Sequence, residues 1–242
     1  MYGESRRDGA LSMNLTLAIT GASGAVFGRE ALRALESDER VARVHFVASE
    51  NSLRVMAEEL GLSGRNDLLE KLLGSESDEC HPNRKDQPQV LRLATLAQND
   101  NSSGHPVSVR SKKIVQHSDA DIGAAIASGS YPSNGMIVLP CSMGTLAAIA
   151  NGLANSLIAR AADVTLKERR PLILCVRETP FNRIHLRNMT LAAEAGAVIF
   201  PCIPAFYNKP IDSTEMARQF VSRVLAHIGL PQPGAFVWKA EE

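Results

Sequence analysis

Three short segments of the 242-residue chain combine residue types that bind anions or move protons, and each directly follows an apolar run. The first is Gly21-Ala22-Ser23-Gly24, after Leu15-Thr-Leu-Ala-Ile-Thr20. Its glycines admit close backbone approach, and the helix expected next offers free N–H groups and a positive dipole end to an anion. The spacing is GxxG with Gly28 further on, not GxGxxG, so a dinucleotide site is poorly supported and a plain tight turn explains it equally well. The second is Pro140-Cys141-Ser142-Met143-Gly144-Thr145, where small and hydroxyl residues open a helix and suit a phosphate or a polar ring edge. Cys141 has no base beside it in sequence and reads as a buried structural thiol. The third is Arg177-Glu178-Thr179-Pro180-Phe181. A charged pair at a buried strand end is costly unless used or neutralised. It is either a salt bridge at the sheet rim or an Arg that holds an anion beside a Glu that moves a proton.

Arg160, Lys167 and Arg223 can join a phosphate pocket, with Tyr207 as a hydroxyl donor, although each alone reads as a solvated helix-face group. The six histidines (45, 81, 105, 117, 185, 227) lack metal-ligand spacing, and Cys80-His81 is a weak hint, so no metal is expected. Four cysteines without CxxC spacing point to reduced thiols in a cytoplasmic protein.

The elements that must position these groups alternate. Strands are expected at 15–20, 44–48, 113–116, 136–140, 172–176 and 197–200. Helices are expected at 25–36, from a Ser49 cap to about 60, at 66–73, 122–127, 142–169, 184–195 and 213–228. Strands alternating with helices make an α/β fold: a single Rossmann-like, flavodoxin-like, doubly wound parallel sheet. In such sheets ligands bind beyond the carboxyl ends of the strands, where all three segments fall. Residues 1–12 are polar and read as a disordered extension. Residues 13–240 form one domain, with a polar excursion at about 74–111 whose only patterned piece, Val90 to Leu96, suggests a hairpin. Equal numbers of basic and acidic residues, 26 each, argue against a nucleic-acid surface, and no run is long enough to span a membrane.

In chain order, Thr20-Gly-Ala-Ser-Gly-Ala25, Ala127-Ser-Gly-Ser130, Pro140-Cys-Ser-Met-Gly-Thr145, Ala161-Ala-Asp-Val-Thr-Leu-Lys-Glu-Arg-Arg-Pro171, Arg177-Glu-Thr-Pro-Phe181, Ile184-His-Leu-Arg-Asn-Met189 and Phe206-Tyr207 resemble the UbiX-type flavin prenyltransferases. The resemblance covers roughly residues 14 to 73 and 112 to 238. It implies a metal-independent enzyme that joins the dimethylallyl group of dimethylallyl phosphate to N5 and C6 of reduced FMN. The prenylated FMN then serves a UbiD-type decarboxylase, in quinone (ubiquinone) synthesis or aromatic-acid breakdown. It also implies a homo-oligomer, commonly a dodecamer, with the active site between subunits.

Carried over by position, Gly21, Ala22, Ser23, Ser49, Ser142, Met143, Gly144, Thr145 and Arg177 match FMN-binding groups. Tyr207 and Arg223 match groups that hold the prenyl phosphate, with Arg160 and Lys167 as basic neighbours. Glu178 matches a proton-transferring carboxylate, Glu59 one near the flavin, and Trp238 an aromatic that closes the pocket. The chemistry suits these types. Positioned Arg, Lys and Tyr donors stabilise a leaving phosphate without metal, aromatic faces steady an allylic cation, and water must be kept out. Two rivals are an FMN-dependent decarboxylase of peptidyl-cysteine or phosphopantothenoylcysteine type and a non-catalytic FMN-binding subunit. The first is disfavoured because Asn188-Met189 lies within the prenyltransferase-like run. The second is disfavoured by the intact set Lys167, Arg177, Glu178, Tyr207 and Arg223.

Overall fold

The computed structural model describes residues 12–62, 64–65, 67–74 and 111–235. Its centre is β1 (Met13–Ile19), whose run of apolar residues is buried on both faces, as a strand covered by helices on each side requires. Alternate side chains feed two cores. Leu15, Leu17 and Ile19 of β1 join Val44 and Phe46 of β2 (Val41–Ala48) on one face. Ala18 and Val47 join Met136 and Val138 of β4 (Gly135–Cys141) on the other. With β3 (Ile114–Ser118), β5 (Leu172–Val176) and β6 (Val198–Ile199) they form a six-stranded sheet in the order β3-β2-β1-β4-β5-β6. Every pairing is parallel.

Helices α1 (Ala25–Ser37), α2 (Glu50–Leu60), α3 (Leu68–Leu73) and α7 (Ser213–His227) cover the first face. Helices α4 (Met143–Ala150), α5 (Leu157–Lys167) and α6 (Arg183–Glu194) cover the second. This is the expected doubly wound α/β sandwich, with the strand order of the Rossmann fold. Buried Glu30 of α1 joins α1 to α7. Its carboxylate accepts from Arg29 (3.1 Å) and Arg33 (3.3 Å) on its own helix and from Arg218 (3.0 Å) on α7.

Three elements differ from the sequence reading. The helix expected at 122–127 is only a 3₁₀ turn, Ala125–Ala127, because Asp121 Oδ1 accepts from Gly123 N (3.2 Å) and competes with helical bonding. The stretch 142–169 is two helices. Gly152 takes a left-handed φ of 67°, Ser156 caps a new helix, and Asp119 accepts from Leu157 N (2.7 Å) and Ile158 N (2.9 Å). The strand at 197–200 shortens to β6. The expectations for the extension up to residue 11, for Cys80-His81, for Val90 to Leu96 and for Trp238 fall outside the described residues. No helix among the described residues is long and apolar enough to cross a membrane.

A polar chain crosses the second face near its edge. Buried His45 of β2 meets His117 Nε2 through Nδ1 (2.8 Å) and the Tyr131 hydroxyl through Nε2 (2.7 Å). Burial, then the neighbouring His117 and Arg43, lowers His45 to about 4, and burial lowers His117 against an opposing pull from Asp121. A folded-state pKa below the unfolded value of about 6.5 makes the unfolded chain the better proton acceptor in between. The stabilisation from neutral His45 is therefore full above about pH 6.5 and lost as pH falls towards about 4. Urea denaturation across that window is expected to show falling stability, with a shallower acid limb in His45→Asn.

Candidate functional site

The site lies along the carboxyl edge of the sheet, where four strand ends meet. Ser49 N donates to Ile19 O (3.0 Å), Thr20 N to Pro140 O (3.1 Å) and Arg177 N to Cys141 O (3.1 Å). These bonds bring Gly21–Ser23, Ser49, Ser142–Thr145 and Arg177–Glu178 into one row. A Cβ on Gly21 would lie 2.4 Å from Asn51 Cβ, so only glycine lets this turn sit against the start of α2. Gly24 has a φ of 106°, which turns the chain sharply into α1.

The two helix N-termini on this rim differ. The first turn of α1 was expected to offer its N–H groups to an external anion. Instead the Glu59 carboxylate, from the end of α2, accepts from Gly24 N (2.9 and 3.1 Å) and Ala25 N (2.8 Å). Gly24 has no side chain to cap the helix, and a carboxylate there also complements the dipole. That anion position is filled by the chain's own Glu59. The first turn of α4 stays accessible. Ser142 Oγ accepts from Thr145 N (3.3 Å) and lies 3.1 Å from Thr145 Oγ1, while Gly144 is exposed with open space where a side chain would go. Met143 is buried, so it can offer a ligand only its backbone. Ser49 caps α2 by accepting from Ser52 N (3.2 Å).

Arg177 and Glu178 are both exposed, and Glu178 Oε1 accepts from Thr179 N (3.0 Å), so the rim salt bridge is not the arrangement found. Cys141 is fully buried and desolvation pushes its thiol far above the ordinary value, which suits no nucleophile. Tyr207 is exposed on the loop after β6. The sequence-predicted residues that do not join the row are on helices. Arg223 is exposed on α7. Arg160 on α5 donates to Ala127 O (3.2 Å) and pairs with Asp163 (2.8 Å). Lys167 ends α5 close to Gly129 and pairs with Glu168, just before β5 begins. The five residues of β5 span roughly 16 Å, so Lys167 and Glu178 lie at opposite edges of the sheet. A cavity of about 340 Å³ at the ends of β2 and β3, lined by Arg65, Gln116, His117 and Ser118, includes none of the predicted residues.

Two groups at this edge carried no role in the sequence reading. Thr20 is buried, and its hydroxyl donates to Pro140 O (2.9 Å) and accepts from Ser142 N (2.8 Å). Its signal was a hydroxyl at the last position of an otherwise apolar strand. Asp119, just past β3, holds the start of α5, and nothing local in the sequence marked it.

Among the described residues no cluster of acidic, His and Cys side chains could hold a metal. The glycine turn, the hydroxyl-bearing helix start and the adjacent arginine share the carboxyl edge of a doubly wound sheet, and the class of protein this fold defines is an α/β flavoprotein. A sequence model of the Flavoprotein family matches residues 4–228. A flavin prenyltransferase UbiX from Salmonella typhimurium is 39% identical over 219 residues, covering 90% of this chain and 93% of that protein. A solved dodecameric FMN-dependent UbiX-like decarboxylase from Escherichia coli O157:H7 superposes with a TM-score of 0.72 at 35% identity, over 94% of this chain and all of that one. AnUbiX (PadA1), solved with FMN and dimethylallyl pyrophosphate, gives 0.70 at 35% identity, over 96% of this chain and all of that one. The chain belongs to the UbiX-type flavin prenyltransferases within the flavoproteins.

The cap on α1 gives a direct test. Replacing Glu59 with Ala is expected to lower stability by about 1 kcal/mol, the usual worth of a helix N-cap, read by urea denaturation at neutral pH.

Proposed function

We propose that this chain transfers the dimethylallyl group of dimethylallyl phosphate to N5 and C6 of reduced FMN, without a metal, making prenylated FMN for a UbiD-type decarboxylase. The observation that carries this reading is the row of Gly21–Ser23, Ser142–Thr145 and Arg177–Glu178 at one sheet edge, in a chain of this family. The residues fit FMN. The first turn of α4 offers N–H groups and two hydroxyls, Arg177 adds a positive charge, and Gly21 lets the neighbouring turn pack against the start of α2. Reduced FMN, when bound, supplies the nucleophilic nitrogen and the ring carbon at which the new bonds form.

The protein's part is charge and proton management. Arg160, Lys167, Tyr207 and Arg223 hold the prenyl phosphate and stabilise the charge it gains as the carbon–oxygen bond breaks. Glu178, exposed beside Arg177, takes the proton released when the ring closes. Glu59 acts indirectly, by holding the turn that contains Ser23, and Trp238 closes the pocket against water. One chain cannot assemble this set, because Lys167 and Glu178 sit at opposite ends of β5.

The complete site therefore forms between copies of a homo-oligomer, and we assign the dodecamer of the solved relative. Exposed Ile203, Phe206 and Ile211 beside Tyr207, and Ile184 and Leu186 on α6, supply apolar surface for such contacts. Among the described residues Cys141, Cys175 and Cys202 are unpaired thiols, in keeping with a cytoplasmic location.

Anaerobic incubation with reduced FMN and dimethylallyl phosphate, without metal, is expected to add one dimethylallyl unit to the flavin by mass spectrometry. Unmodified FMN that stays bound, with a diphosphate donor also inactive, would favour the decarboxylase or binding-subunit reading instead. Glu178→Gln is expected to slow turnover on the order of 100-fold. Lys167→Ala is likewise expected to slow turnover strongly. Refolding the two variants together should restore part of the activity, because some sites then combine an intact Lys167 with an intact Glu178 from different copies. No recovery on mixing would place both residues in one chain's site.

A further inference from the structure

We infer that Thr20 is a positioning residue that sets the spacing and orientation of the two lips of the flavin crevice through its hydroxyl. This rests on the crevice reading above. The lips come from residues 21–24 and 142–145, so their separation depends on how β1 holds β4. The register between these strands runs from Leu15↔Gly135 to Ala18↔Val138 and goes no further. Pro140, two residues on, has no N–H to give. On its other side β4 slips in register against β5 between Val138 and Cys141. The ladder thus ends short of the crevice.

Thr20 replaces it. Its N–H and its hydroxyl both donate to Pro140 O (3.1 and 2.9 Å), and the same hydroxyl accepts from Ser142 N (2.8 Å). Ser142 in turn lies against Thr145 through its own hydroxyl, so one chain of bonds runs from the end of β1 to the first turn of α4. Thr20 is only 1% exposed and cannot touch a ligand. Its effect must pass through Ser142 and the turn that follows it. Losing the hydroxyl leaves the partly buried Ser142 N–H without its acceptor, which either strains the lip or lets it move.

Two variants separate the hydroxyl from packing. Thr20→Val keeps the shape and removes the hydroxyl; Thr20→Ser keeps the hydroxyl and removes the methyl. FMN affinity by fluorescence titration, well below the melting temperature, is expected to fall about tenfold in Thr20→Val and to stay within about threefold in Thr20→Ser. The KM for dimethylallyl phosphate should change less than the flavin affinity, since the phosphate groups lie elsewhere. A role in packing alone predicts the reverse order, with Ser worse than Val, and that order would overturn the inference, as would an unchanged Thr20→Val. If Thr20→Val does not fold, Thr20→Ala against Thr20→Ser carries the same comparison, equal affinities counting against the role. A wild-type chain that binds no FMN would instead overturn the crevice reading itself.

Discussion

The carboxyl edge of this molecule depends on β1 lying between two strands whose connections leave on opposite faces. The chain departs from β1 over one face through α1, while β4 departs over the other through α4 and α5. No helix can cover the gap where those directions diverge, so the sheet itself provides an open crevice. What the local sequence then adds is small: a turn tight enough to reach Asn51, a hydroxyl-rich first turn on α4, and a charged pair beyond β5. None of these would make a site on its own. They become one because the neighbouring strand ends are held together by Ser49, Thr20 and Arg177 backbone bonds.

The same geometry explains why helix dipoles are used unequally. At α1 the positive end is matched inside the chain by Glu59, which fixes the glycine turn in place. At α4 a serine caps only part of the first turn and leaves the rest to whatever occupies the crevice. One N-terminus is closed by the chain itself and the other is left open. Lys167, at the end of α5, lies across the sheet from this row, on the other side of β5.

Much of this was readable from residue order. The β5 run is continuously apolar, and the β1 run from Leu15 to Ile19 is so but for Thr16, because helices cover both their faces. The turn at Gly21, the Ser49 cap and the helix opened by Ser142 follow from local chemistry and appear where it puts them. The misreadings arose where a distant or competing bond decided the outcome. The Ala-rich stretch from 142 to 169 is rich in helix formers apart from residues 151–156, where Asp119, far away in sequence, helps to start a second helix. Asp121 likewise diverts the backbone at Gly123. For the candidate site, residue types singled out strand ends that the fold places side by side. They could not reveal that Glu59 would fill the α1 anion position, or that Thr20 would join two segments some 120 residues apart, because both depend on tertiary proximity.

Cys141, Cys175 and Cys202 lie on the last residues of β4 and β5 and just beyond β6, close to the crevice. Burial pushes all three thiols up, Cys202 to about 12, so hardly any thiolate exists at neutral pH. Reduced flavin left in contact with oxygen releases hydrogen peroxide, and peroxide attacks thiolate far faster than thiol. Among the described residues, the cysteines are thus kept in the form that oxidant attacks least. The apolar packing that steadies the strand ends doubles as chemical protection of these thiols.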